Sequence, residues 1–468
     1  AKVTRLGRSR EEQMLRVTTA NEERAVTGFA DAEAFCARVR AGPFFAGDEP
    51  VAVARAPGRL DVLGGIADYS GSLVLALPLA ATALVAAQLR ADGSVVAVSG
   101  DRRIRLAADD LLEARPVDLA RRFAGDDAWA SYVLGPVALL AREENAALPG
   151  LRLLVSSDVP EGKGVGSSAA VEVAVLQAVA ACLGLELEPR RLALLGQRAE
   201  HVFAGAPCGA MDQMTAACGR RGELLALLCR PAEIVGSIPL PPPFALWGID
   251  SGVRHAVAGV RYRRARCAAF MGKALLGCDD EYLAALEPPG VDAARLPERL
   301  SGAEFLRLGH RVDDRFSVVE QKVVYPVRAA TMYPLEEQAR VRRFAELVVQ
   351  PVTELGARRL GELMAESNAG YSSCGLGTAR TDALVDAVRS AGWERGLAGA
   401  RVSGGGSGGT VVVLGREEAE PLVRSIAAEL GAGLVGGSSA GAAGFGVRLL
   451  AAGDSSSSRR AVSARPGP

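Results

Sequence analysis

The sequence predicts an α+β protein built as two lobes, and three observations carry that expectation. Short apolar strands alternate with helical stretches along most of the chain. A proline cluster, "IPLPPPF" at 238–244, divides it. A chain of 468 residues also exceeds what one small core organises.

Taken in order, the first forty-odd residues are polar and charged ("RSREEQMLR", "NEERA"), with a short helix expected over "ADAEAFCARVRAG", so 1–47 reads as a peripheral segment. The first lobe is expected over 48–237 and begins with the strand "VAVARAPGRL". The longest apolar stretch, "LVLALPLAATALVAAQL" from Leu73, is interrupted by Pro78, Thr82 and Gln88. It falls short of a membrane span and reads as two buried strands. "SVVAVSG", "LRLLVSS", "ELLALLC" and "FALWGID" read as further strands; "WASYVLGPVALLARE" and "PRRLALLGQRAEHVFAG" read as helices. The second lobe, 238–452, is more helical and closes with "ARVSGGGSGGTVVVLG", a helix and a last strand. The low-complexity tail at 453–468, "GDSSSSRRAVSARPGP", reads as disordered.

Composition narrows the function classes. Apolar residues make up 49% of the chain, enough for well-packed interiors. Lys+Arg and Asp+Glu balance at 54 each, so no basic excess favours nucleic acid as a partner. The eight cysteines are scattered without a Cys-x2-Cys pair and only three histidines exist, which argues against a zinc site. Cysteines inside apolar runs, such as Cys229 in "LLALLCR", suit reduced thiols. With no signal-peptide pattern at its start, the chain is expected to be a cytoplasmic enzyme with no membrane partner.

Four stretches carry chemistry. "PEGKGVGSSAAVEV", 160–173, reads as a glycine-rich loop opening into a helix, a build that holds phosphate through backbone N–H groups and the helix dipole. It is not a P-loop, because Ser157 and Gly164 stand where Gly and Ser/Thr are required around Lys163, and Gly162, Gly164 and Gly166 alternate where a dinucleotide fingerprint would not. The second stretch, "RAPGRLDVLGGIADYSGSLVLALPL" at 55–79, sets Arg59 and Asp68 among Gly, Pro and Tyr69. The third, "AEHVFAGAPCGAMDQM", puts Glu200 on a helix and Asp212 after a Gly/Pro/Cys turn, where a carboxylate needs a partner such as Arg59. The fourth is "RVSGGGSGGTVVV", a backbone-approach loop running into a strand. Singly, each also fits a plain structural reading: a capped turn, a surface loop, a linker. Their order along one chain is what is specific.

In that order the chain resembles the GHMP kinases, the superfamily of galactokinase, homoserine, mevalonate and phosphomevalonate kinases. Pro160 to Ala169 resemble its phosphate loop, with "APGR…DY" before it and "SGGGSGG" after. "WASYV", "GAPCGAMDQ" and "GVRHAVAGVRYRRAR" follow the galactokinase branch, and long strings such as "VARAPGRLDV" and "GGIADYSGSLVL" resemble the kinase domain of plant-type L-arabinokinases. The resemblance implies an N-terminal lobe with a left-handed β-α-β crossover at the phosphate loop, an exception to the right-handed rule, and a ferredoxin-like C-terminal lobe.

It also implies roles. Asp212 would take the anomeric proton, with Arg59 as its partner. Glu200, twelve residues upstream, would hold Mg2+ with Ser168. Gly162, Lys163, Gly164, Val165, Gly166, Ser167, Ser168 and Ala169 would cradle ATP, with Gly405 and Gly406 opposite and Trp129 and Tyr132 walling the adenine. Asp68, Gly209 and Tyr262 would bind sugar hydroxyls. Two departures stand out. Galactokinases read "GEHTDY" where this chain has "GGIADY", so Gly65 and Ile66 replace a carboxylate and an imidazole facing galactose's exocyclic hydroxymethyl. L-arabinose lacks that group, and a buried hydroxyl left unpaired costs about 1–3 kcal/mol, roughly ten- to hundredfold in discrimination. Lys163 is the other departure: it either adds a phosphate contact or points outward. The expected activity is ATP- and Mg2+-dependent formation of L-arabinose 1-phosphate by a monomer or weak homo-oligomer. The alternatives are a galactokinase or broad galactose-type 1-kinase, and a catalytically silent sugar- and ATP-binding sensor.

Overall fold

The computed structural model describes residues 30–45, 49–253, 259–286, 291–437 and 446–450. The expected disordered tail at 453–468 and residues 254–258 of "GVRHAVAGVRYRRAR" lie outside the described residues.

The first lobe is an eight-stranded sheet. Its strands are β1 (Val51–Leu63), β2 (Leu73–Leu89), β3 (Ser94–Ser99), β4 (Arg102–Ala107), β5 (Leu151–Ser157), β6 (Glu223–Leu228) and β7 (Glu233–Pro239), completed by a late strand from the chain's end. β1 and β2 are buried along almost their whole length because helices cover both faces of the sheet. Ala54, Ala56, Val85 and Ala87 turn toward one core with helix α3 (below), while the alternate residues Val53, Leu84 and Ala86 turn toward α1 (Ala30–Ala41). Phe35, Cys36 and Val39 of α1 pack there, and the Asp31 carboxylate accepts hydrogen bonds from Arg55 (2.9 Å) and Thr82 (2.8 Å). This part of the segment read as peripheral is a covering layer of the sheet.

The apolar stretch from Leu73, expected as two strands, is one strand of 17 residues. Pro78 does not break it, for a local reason. On one side it faces Arg59, where β1 shifts register between Pro57 and Arg59. On the other, β6 pairs with Leu73–Ala76 and β5 with Ala83–Leu89, so Pro78 falls in the gap between two partners where no ladder bond is asked of it.

Helices α2 (Leu134–Glu143), α3 (Ser167–Cys182), α4 (Pro189–Ala199) and α5 (Met211–Cys218) form the lobe's other layer. The second lobe runs β8 (Phe244–Asp250), α6 (Val260–Leu276), α7 (Val327–Val348), α8 (Glu354–Ser373), α9 (Ala379–Ala391), β9 (Leu397–Val402), β10 (Thr410–Arg416), α10 (Glu420–Glu429) and β11 (Gly433–Gly437). Its antiparallel order β9-β10-β8-β11 is the ferredoxin-like arrangement. Trp247, Ile249, Val411 and Val413 face the helices of this lobe, whereas Leu246, Val412 and Leu414 join the core of the first. The last strand, β12 (Gly446–Leu450), returns to pair with β1, so the chain closes in the first sheet although 238–452 was expected to be one lobe. Among the described residues no helix is long and apolar enough to cross a membrane.

Candidate active site

The glycine-rich loop adopts the conformation its alternation predicts: Gly162, Gly164 and Gly166 all have φ near 70° (69°, 69° and 71°), the left-handed region that L side chains avoid. Three successive carbonyls are then tied down from behind. Thr410 Oγ1 donates to the Lys163 carbonyl (2.8 Å), Arg59 Nη1 to that of Gly164 (2.6 Å) and the Arg59 N–H to that of Val165 (2.9 Å). In a trans peptide the next N–H points the opposite way. The N–H groups of Gly164, Val165 and Gly166 therefore face away from these donors, and no acceptor among the described residues takes them. α3 starts immediately after, with no side-chain cap on its first turn. Together these make an anion nest.

The nest lines a cleft of about 490 Å3 shared by Trp129, Tyr132, Ser167, Ser168, Glu200, Arg59 and Asp212. Asp212, in the first turn of α5, is gripped by the Arg59 fork: Nε to Oδ1 at 2.9 Å and Nη2 to Oδ2 at 2.7 Å. Arg59 is almost wholly buried, and although burial opposes its charge, Asp212, Asp61 and Asp68 outweigh that. The same guanidinium thus holds both the carboxylate and the glycine-rich loop.

A narrower pocket lies on the other side of that pair. Arg59 and Asp212 line it too, with Gly65, Ile66, Asp68, Cys208, Gly209, Met211, Tyr262, Gly404 and Gly405. All five residues expected to bind sugar are here. Burial, and then the nearby Asp212 charge, push the Asp68 carboxyl up to about 7. Gly209 is required, because a Cβ there would overlap the Asp68 carboxylate, 2.8 Å from its Oδ1. Behind this pocket Arg266 donates to the Pro207 carbonyl (2.9 Å), pairs with Asp314 (2.9 Å) and stacks on Tyr69, while the Tyr262 hydroxyl reaches the same carbonyl (3.3 Å).

Some expected residues stand elsewhere. Val165 and Ala169 are buried on the core side of the loop, and neither they nor Lys163 line the cleft. Lys163 does not point outward: its Nζ meets Asp250 Oδ2 at 2.7 Å, tying the loop to the end of β8 in the second lobe. Gly405 lines the narrower pocket, not the cleft, and Gly406 packs against Leu376 and Tyr371. Sequence reasoning missed Glu172, fully buried on α3, and Gln213. The Gln213 amide donates to Glu172 (3.0 Å) and to Glu200 (2.7 Å). A lone acid in an apolar helix, one turn beyond Ser168, was the available signal. Burial, then the Glu200 charge, pushes Glu172 well up, and burial, then Asp212, lifts Glu200 to about 7.

The donor set can be tested against Mg2+. Ser168 and Glu200 offer hard oxygens to the cleft, and a hydrogen bond from Ser168 is among the forces holding the Glu200 pKa down. No group of three or more His, Cys, Asp or Glu among the described residues could hold a metal alone. The two residues fit an ion that draws most of its shell from phosphate oxygens and water.

An anion nest in the first lobe and a small polar pocket between the lobes meet at one carboxylate, an arrangement that fits a kinase acting on a small metabolite. Family models agree: GHMP kinases N terminal domain matches residues 131–220, GHMP kinases C terminal matches 352–431, and a galactokinase galactose-binding signature matches 44–89. The L-arabinokinase of Arabidopsis thaliana is 37% identical over 456 residues, covering 81% of this chain but 44% of its own length, so the chain spans under half of that relative. The galactokinase of Chloroflexus aggregans is 31% identical, covering 82% of this chain and 88% of its own. Among solved structures, Lactococcus lactis galactokinase complexed with galactose superimposes with a TM-score of 0.68 at 20% identity, covering 90% of this chain and 99% of that one. The chain belongs to the galactokinase branch of the GHMP kinases.

Proposed function

We propose that the chain transfers the γ-phosphoryl group of ATP to the anomeric hydroxyl of L-arabinose, giving L-arabinose 1-phosphate and ADP. One observation carries the reading: a single guanidinium, Arg59, fastens the carboxylate of Asp212 to the Gly164 carbonyl of the phosphate nest, so base and nest are aligned by one rigid group. Asp212 accepts the proton of the anomeric hydroxyl as its oxygen bonds to the γ-phosphorus and the bond to the β–γ bridging oxygen breaks. Arg59 holds the carboxylate in place before transfer and offsets negative charge during it. The nest N–H groups hold the outer phosphates. Mg2+, held by Ser168 and Glu200 when bound, would neutralise phosphate charge. Asp68, Gly209 and Tyr262 orient the sugar ring.

The choice of L-arabinose is supported by the wall at Gly65 and Ile66, which presents backbone and an apolar side chain where a hexose would carry its hydroxymethyl. A second reading, galactokinase, is favoured by the signature match at 44–89 and by relatives of that name. Coupled ADP-release assays with L-arabinose, D-galactose and D-galacturonate separate them. The proposal requires the highest kcat/KM for L-arabinose; a preference for D-galactose selects the second reading. Sugar binding without ADP from any of the three would mean a sensor.

A further inference from the structure

Gly65 sits in the sugar-side wall with φ 55°, and the room its side chain would need is already filled. A Cβ there would overlap the Tyr371 hydroxyl and come within 2.7 Å of both Tyr371 Cζ and Arg401 Nη2. Those atoms belong to the second lobe, Tyr371 to α8 and Arg401 to β9, more than 300 residues along the chain.

Tyr371 is fully buried, and its hydroxyl is spent on the wall itself. It accepts the Ile66 N–H (3.0 Å) and donates to the Gly404 carbonyl. Its ring lies under the Arg401 guanidinium at 5.0 Å and edge-on to Tyr333 at 5.5 Å. Asp61 pins the same wall from behind. One carboxylate oxygen accepts the Gly65 N–H (3.1 Å); the other accepts the Gly404 N–H (2.9 Å) and meets Arg401 Nη1 (3.1 Å). Arg401 Nε and Nη2, both buried, have no hydrogen-bond partner among the described residues, and Nη2 is the atom facing Gly65. Gly65, Ile66 and Gly404 therefore face the pocket as backbone and one isoleucine, fixed by groups that leave residue 65 no space for a side chain.

We infer that Tyr371 is a specificity-determining positioning residue of this site: it compels glycine at 65 and, through its two hydrogen bonds, sets the wall that faces the sugar carbon on which a hexose carries its hydroxymethyl. The inference rests on the proposed preference for a galactose-configured pentose and gives that preference a structural origin outside the "GGIADY" string. One consequence is direct. Placing Glu and His at 65 and 66 alone does not open the site to hexoses, because the new side chain meets Tyr371 and Arg401 first.

The test uses the full chain in four forms: wild type, Gly65→Asn (asparagine tolerates left-handed backbone), Tyr371→Leu, which removes the hydroxyl and Cζ but keeps apolar bulk, and the double variant. The expected melting temperatures are non-additive, with the double variant melting above Gly65→Asn alone. The ratio of kcat/KM for D-galactose to that for L-arabinose is expected to rise at least tenfold in the double variant. Additive losses of melting temperature, or a sugar ratio within twofold of wild type, would overturn the inference. Tyr371→Phe keeps the packing and provides the arm least prone to misfolding. It should raise the KM of whichever sugar the wild type turns over about tenfold, the worth of a lost buried hydrogen bond, and leave the KM for ATP within twofold. An unchanged sugar KM contradicts the inference. If the wild type prefers D-galactose, the proposed substrate falls, while the coupling of residues 65 and 371 is still read from the melting temperatures.

Discussion

Replacing Asp212 by Asn isolates the proposed proton-accepting role, because Asn keeps the shape and one carbonyl acceptor for the Arg59 fork. The structure sets two magnitudes. A positioned general base contributes about 10²–10⁴-fold to rate, so kcat should fall by that factor. The fork loses one charge-assisted bond and leaves Arg59, almost wholly buried, facing a neutral amide; that costs about 1–3 kcal/mol of stability. The loss is limited because the Arg59 bond to the Gly164 carbonyl and the neighbouring Asp61 and Asp68 charges remain. Sugar affinity should change little, since Asp68, Gly209 and Tyr262 are untouched. The assay pairs coupled ADP release with calorimetric titration of sugar and a thermal melt. A variant retaining more than a tenth of wild-type kcat would refute Asp212 as the base. An equal loss of sugar binding would mean that the residue serves binding rather than proton transfer.

Three further outcomes are expected. Asp68, lifted from 3.8 to about 7 by burial and by Asp212, binds its proton more tightly folded than unfolded. The ligand-free protein should then lose stability as pH rises from about 4 to about 7, by at most about 4 kcal/mol. Asp68→Asn should flatten that slope in melts at pH 5 and pH 8, and an unaltered slope contradicts the assignment. Gly209→Ala should raise the sugar KM at least tenfold with the ATP KM unchanged, because the new methyl displaces the Asp68 carboxylate; steady-state kinetics in both substrates decides. Lys163→Met removes an ion pair whose side chains are about a fifth exposed (21% and 22%). A pair this wet is worth no more than about 1 kcal/mol, so the melt should barely move, while the ATP KM rises several-fold through the loosened loop; an unchanged ATP KM would limit Lys163 to tying the lobes.

Much of the architecture and most of the residues that meet in the cleft were legible in the sequence, through the order of the motifs. Arg59, Asp68, Glu200 and Asp212 each sit in a short string that singly also fits a plain turn, loop or helix, and the order of those strings, with the resemblance it carries, singled them out. The residues that pin them are not legible in the same way. Tyr371 against Gly65, Arg401 against Asp61 and Asp250 against Lys163 are contacts between distant parts of the chain, and although Arg401 opens the fourth stretch, nothing in that pattern names its partner. Pro78 misled for a related reason. A proline in an apolar run weakens a strand only where the ladder needs its N–H, and where the partners β5 and β6 begin and end is a tertiary fact. Glu172 carried a readable signal, an acid in the apolar stretch "AAVEVAVL", that gains meaning only once Gln213 and Glu200 are beside it.

The most direct measurement is the identity of the product. Incubation of the wild-type protein with L-arabinose, ATP and Mg2+ should yield one sugar phosphate whose phosphorus couples to the anomeric proton in NMR spectra, with ADP formed in equal amount. Phosphate on any other oxygen, or ADP formed without sugar phosphate, would contradict a site in which Arg59 and Asp212 align the anomeric hydroxyl with the nest at Gly164.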